Sequence, residues 1–227
     1  MIAELIYNQK DVSERMWGIY QHIINIYLQD HEYIRDLIGQ ASVPLINFMV
    51  KAPEVFKTAN FQGQGTPLQM MFNFINKIFH DGTNVLADEV HSMCAVTLLM
   101  AMLEHLGEGI SDSIHQINHF YITELKSAET SHYRNMLIQG IMMNFWYDQA
   151  TTIVSLDNHG HLDDVFNFIL TNIPQINKDF EVKRVIIGFG ALTLSPTSTQ
   201  LPKQVQDRFG DFINAIMVLC QRSIELR

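Results

Sequence analysis

In "HQINH", His115 and His119 stand four residues apart, a spacing that puts two imidazoles on one helical face where a divalent metal could bridge them. The glutamate of an H-E-x-x-H metalloprotease site is missing, because Gln116 stands in its place. The pair reads as polar-flank histidines. "NHGHLDD" gathers His159, His161, Asp163 and Asp164 where a loop runs into a helix. These are metal-ligand types, yet Asp163 and Asp164 are also what the first turn of a helix favours through its dipole. "FHDGT" supplies a His80–Asp81 pair, the core dyad of HD-type metal phosphohydrolases. Completing that site takes His22 or His31 and Asp112 from separate helices, and no signal singles these out. Asp81-Gly82 suffices as a helix-ending turn.

A fourth candidate is "FEVKRVIIGFGALTLSP", where Gly188 and Gly190 resemble part of a phosphate-binding loop. A dinucleotide fingerprint needs G-x-G-x-x-G after a strand. Here Ala191, Leu192 and Thr193 follow, and Val182, Val185, Ile186 and Phe189 already run at helical spacing. The glycines are therefore expected to let a neighbouring helix approach closely. The chain carries no G-x-S-x-G elbow, no P-loop and no cysteine in a catalytic signature. No catalytic, cofactor-binding or metal-ligating residue is assigned, no cofactor is expected, and the chain is not read as an enzyme.

The elements that would position these residues are helical throughout, so the fold class is all-α. "DVSERMWGIYQHIINIYLQ" places Val12, Met16, Ile19, Tyr20, Ile23 and Tyr27 on one stripe. "TPLQMMFNFINKIFH" does the same with Leu68, Met71, Phe72, Ile75, Ile78 and Phe79, with Thr66 as cap and Pro67 at the first helical position. A helix apolar nearly all round runs from Asp88 to Gly107, and another follows Ser111 as its cap. Tyr133, Met136, Leu137, Gly140, Ile141 and Phe145 mark the next. "DQATTIVSLD" reads as a short extra helix and "KAPEVFKTANFQGQG" as an insertion. Pro44 and Pro174 are expected near helix ends. Trp17 and Trp146 are expected in core or interface packing.

First-of-pair helices begin near residues 11, 66, 110, 161 and 202, a rhythm that brackets the roughly 40–47 residues of HEAT-type helix pairs. The expected architecture is a HEAT-repeat α-solenoid of roughly four to five antiparallel helix pairs, residues 1–227 forming one segment of a longer array. The last helix has no partner after it. Its stripe of Phe209, Phe212, Ile213, Ile216 and Cys220 leaves the array without a polar cap.

Composition narrows the function classes. Hydrophobic residues make up 47% of the 227 and charged residues only 17%. Such a chain buries its helices from more than one side. The 24 acidic against 15 basic side chains give a net charge of −9, which repels phosphate backbones and suits basic protein partners. Direct nucleic-acid binding is not expected. The longest apolar run, "LLMAML", is far short of the ~18 residues of a membrane span. Cys94 and Cys220 lie in apolar runs and are expected as buried thiols in a reducing compartment.

Three stretches in this order, "DVSERMW", "DEVHSMCAVTLLMAMLEHLGEGISDSIHQI" and "KRVIIGFGALTLSP" followed by Leu201-Pro202, resemble the C-terminal half of importin-beta-type nuclear transport receptors. The nearest branch is that of importins seven and eight, and the resemblance spans roughly residues 11–205. It implies stacked HEAT repeats, no enzymatic activity, a curved surface holding basic protein cargo, and residence in cytoplasm and nucleus. In that family the GTPase Ran binds mainly through amino-terminal repeats, which are not expected within this chain. The acidic insertion loops of the branch are also not evident. A helical scaffold subunit of a stable protein assembly is the alternative that the same residues leave open.

Overall fold

The computed structural model describes residues 2–29, 37–61, 63–80, 85–194 and 201–226. Among the described residues the chain is all-α: thirteen α-helices, two 3-10 turns and no strand, the only β pairing being an isolated bridge of Phe61 with Gly65. The helices fall into two compact units, Met1–Ile110 and Ser111–Arg227.

The first unit holds α1 (Ile2–Asn8), α2 (Glu14–Leu28), α3 (Ile38–Lys51), α4 (Pro53–Thr58), α5 (Pro67–His80) and α6 (Val85–His105). Helix α2 packs on α3 and α5, α3 on α6, and α5 on α6, while α1 lies against α3. Ser13 caps α2 through the Met16 N–H. The inward residues of α2 are Trp17, Tyr20, Ile24 and Tyr27, whereas Ile19, expected inside, is exposed. The large aromatic rings set the face: Trp17 and Tyr20 pack against Phe48 of α3 and Phe56 of α4, with centroids 5.1–6.4 Å apart. The "KAPEVFKTANFQGQG" insertion thus carries a helix of its own, anchored by Phe56.

Thr66 caps α5 as its position predicts, and Gln69 completes a reciprocal box. The Gln69 N–H donates to Thr66 Oγ1 at 3.1 Å and the Thr66 N–H to Gln69 Oε1 at 2.9 Å. The buried Tyr20 hydroxyl donates to the Pro67 carbonyl at 2.6 Å, tying α2 to the first turn of α5. Helix α6 begins at Val85, three residues before the expected Asp88, and is buried nearly all round from Ala95 to Leu103. Pro44 lies inside α3 rather than near its end. It removes one intrahelical donor, and the fully buried Leu45 and Phe48 hold the helix through that point.

The second unit holds α7 (Ile114–Ser127), α8 (Ser131–Tyr147), α9 (Gln149–Asn158), α10 (Leu162–Asn172), α11 (Asp179–Leu194), α12 (Lys203–Gln206) and α13 (Phe209–Glu225). Ser111 is not a cap. Gly107, at φ 56°, opens a 3-10 turn through Ser113, so α7 starts at Ile114 and Ser111 Oγ lies 3.3 Å from the Tyr147 hydroxyl. Thr130 caps α8 and Asp148 caps α9, the short extra helix. Pro174 ends α10 in a 3-10 turn, as expected.

Helix α8 packs on α7, α9 and α11, and α11 packs in turn on α13. The final helical pattern is broken at Asp207 and Arg208 into α12 and α13. Phe212 sits 4.9 Å from Phe166 and 5.2 Å from Phe189, and this anchor turns Ala215 and Leu219 inward. Ile213 and Cys220, expected on the buried stripe, therefore face out. Cys94 is only half-buried, and that burial raises its thiol pKa. Neither cysteine is the buried thiol its apolar surroundings suggest.

Candidate functional site

Among the described residues, no three His, Cys, Asp or Glu side chains converge as a metal set would. His115 and His119 are both exposed on α7. His159 and His161 stack with centroids 6.4 Å apart, and His159 Nδ1 donates to the Ser155 carbonyl at 2.7 Å. Asp163 receives Arg208 at 3.0 and 3.2 Å, while Asp164 stays exposed in the first turn of α10. The "NHGHLDD" loop thus forms an ordinary helix entry, with Gly160 at φ 67° making the turn. His22 and Asp112 are exposed. His31 and Asp81 lie outside the described residues, and so does the expected helix-ending turn at Asp81-Gly82.

The two glycines of α11 differ. A Cβ on Gly188 would lie 2.6 Å from both the Cβ and the backbone oxygen of Met142 on α8, whereas one on Gly190 would meet nothing within 4 Å. Only Gly188 is a close-approach point. A second such point, missed by sequence reasoning, is Gly140 on α8, where a Cβ would fall 2.5 Å from Tyr121 Cζ.

Around Gly140 and Gly188 the second unit assembles a polar seam from α7, α8 and α11. Asn144 Nδ2 donates to Asn118 Oδ1 at 2.8 Å, one turn from Tyr121 and Gly140. The remaining amide atoms, Asn118 Nδ2 and Asn144 Oδ1, are a donor and an acceptor without other partners among the described residues. The next layer pairs the Tyr133 hydroxyl with Glu124 Oε2. On the opposite flank of α8, Arg184 of α11 donates to Gln139 Oε1 at 3.1 Å, Gln139 to the Asn135 carbonyl, and Asn135 to the Gln175 carbonyl.

Tyr121 is wholly buried, and its hydroxyl has no hydrogen-bond partner among the described residues. Burial pushes its pKa far above the ordinary tyrosine value, and the positive charge of Arg184 opposes that shift in part. Asn118, Tyr121, Gln139 and Asn144 are closed to solvent, so the seam sets helix spacing. The signal was present in the sequence as polar residues at helical spacing within apolar runs.

Two features face solvent. An apolar cleft of about 550 Å³ in the first unit is walled by Ile23, Ile26, Leu37, Ile38, Pro44 and Phe74. In the second unit Trp146, expected in packing, is 48% exposed, and the outer side of α13 is apolar. Among the described residues no helix is long and apolar enough to cross a membrane. No family model, no curated protein and no solved structure matches this chain.

Proposed function

We propose that this chain is part of a helical-repeat array that holds protein partners, a HEAT-type solenoid segment of the importin-beta kind that binds basic cargo and carries out no catalysis. The observation that supports it most is the row-wise packing in the first unit. Helix α2 packs on its successor α5 and α3 on its successor α6, with α2 on α3 and α5 on α6 across each pair. That is how stacked helix pairs share one continuous core. In the second unit α8 on α11 continues the pattern, with α13 added against α11.

The net charge of −9 favours basic partners, and the resemblance of "DVSERMW", "DEVHSMCAVTLLMAMLEHLGEGISDSIHQI" and "KRVIIGFGALTLSP" with Leu201-Pro202 to transport receptors supplies the class. On this reading Ran binds through the amino-terminal repeats of the receptor, and the protein works in cytoplasm and nucleus. The test is titration of the purified chain with lysine-rich nuclear and ribosomal proteins at low and high salt. Binding that weakens steeply with salt is expected. No binding at low salt, or binding indifferent to salt, overturns the reading.

A scaffold role within a stable assembly is the second reading, favoured by the exposed apolar side chains of α13. It predicts copurification with stoichiometric neighbours that salt does not remove.

A further inference from the structure

Helix α3 carries Pro44 in its interior, and the apolar cleft of the first unit lies against that point. Gln40, Ala41 and Pro44 line the cleft together, one helical turn on one face. In an α-helix the carbonyl of residue 40 points along the axis at the N–H of residue 44. Pro44 has no N–H, and its ring pushes that carbonyl away from the helix axis on the face that lines the cleft. The Ser42 hydroxyl, two residues on, donates to the Gly39 carbonyl instead, at 2.9 Å. The wall of the cleft therefore holds a backbone acceptor deprived of its helical donor.

Shape, charge and this acceptor select the occupant. The cleft is a recess between four helices, with Ile2 of α1, Ile23 and Ile26 of α2, Pro44 of α3 and Phe74 of α5 around it. Its volume is about 550 Å³. An apolar cavity of about 150 Å³ takes one benzene ring, so this one takes a body roughly three to four times that size. One aromatic side chain from a partner would leave about half of it empty. An apolar helix laid across it has its own N–H groups already bonded and would bury the Gln40 carbonyl without a donor. A second copy would set recess against recess and fill neither. None of the lining residues is charged at neutral pH, so an anionic head would lie there without a cation. We propose that the cleft binds a small neutral molecule, an apolar body with a single N–H or O–H group that donates to the Gln40 carbonyl. Pro44 is the residue that makes this specificity, by withholding the donor that the helix would otherwise supply.

Three matched fluorescent probes titrated into the full chain read this directly. N-phenyl-1-naphthylamine is neutral, has three aromatic rings and carries one N–H. Its N-methyl derivative lacks the donor, and 8-anilinonaphthalene-1-sulfonate adds an anion beside it. The first is expected to bind saturably at one site, and each of the other two at least about tenfold more weakly. Ala41→Trp fills the cleft and should abolish the binding. Pro44→Ala returns the helical donor to the Gln40 carbonyl, and the advantage of the N–H probe over its N-methyl derivative should then vanish. Circular dichroism checks that the tryptophan variant folds; the proline variant, which removes a helix breaker, reads the same site if it does not. Absence of saturable binding overturns the proposal and leaves the cleft to a protein partner. Equal binding of the three probes overturns it, as does a preference that survives Pro44→Ala or binding that survives a folded Ala41→Trp. Binding of basic proteins is a separate measurement, and its failure leaves this inference standing.

Discussion

The ring of Tyr121 lies across Gly140 so closely that a Cβ on residue 140 would fall 2.5 Å from Tyr121 Cζ and 2.7 Å from its hydroxyl oxygen. The ring is rigid and wholly buried, so it has nowhere to retreat. Gly140→Ala gains up to about 1 kcal/mol of helix propensity. Overpacking costs about 1–3 kcal/mol and outweighs it. A net destabilisation on the order of 1–2 kcal/mol is expected as a lower denaturant midpoint. Tyr121→Phe, which removes a buried hydroxyl without a hydrogen-bond partner among the described residues, should be neutral or stabilising by up to about 1 kcal/mol.

The two glycines of α11 should respond in opposite directions. Gly188→Ala drives a methyl group toward the Met142 backbone oxygen, which cannot swing aside. A loss of about 1–3 kcal/mol is expected. Gly190→Ala meets open space and should stabilise by up to about 1 kcal/mol through helix propensity. Thermal melts of the two variants decide it, and equal effects would refute the asymmetry.

Tyr20 and Tyr121 both have pKa values raised above 10.0 by burial. In the unfolded chain these hydroxyls ionise near pH 10, while in the folded chain they keep their protons. The folded state therefore binds more protons above that pH, and stability falls as pH rises through 10. Below it the contribution is fully present. Absorbance at alkaline pH should show both residues titrating only as the protein unfolds, and Tyr121→Phe should lessen the alkaline loss.

Arg222 fastens the far end of α13 to the turn after α10, donating to the Ile173 carbonyl at 2.8 Å and also to the Ile176 carbonyl. Arg222→Met keeps much of the stem packing and removes the charged donors. A loss of about 1.5–3 kcal/mol is expected. Hydrogen exchange should quicken first around Ile173 and the last turns of α13.

Periodicity made most of the helices legible, because Thr66-Pro67 and the 3.6-residue stripes each act within a few residues. What it missed was which side of a stripe turns inward. In α2 and α13 the choice fell to aromatic contacts made across the fold, Trp17 with Phe48 and Phe212 with Phe166 and Phe189. Pro44 misled for a related reason, since buried neighbours outweighed the missing donor. The "GFG" pair was read correctly as helical, but only the helix facing it could tell Gly188 from Gly190. Tyr121 and Gly140 lie on different helices, and their contact depends on a spacing that no local pattern encodes.

Helix α8 is flanked by α7, α9 and α11, and residues 137–145 are all buried. Its amides are thus screened from every direction that a local fluctuation of the second unit could open. The short helix α12 and the outer turns of α13 have few such neighbours. Under pulling force or rising denaturant, unravelling should begin in those peripheral turns and reach α8 last, so α8 reports the global rather than the local opening of its unit.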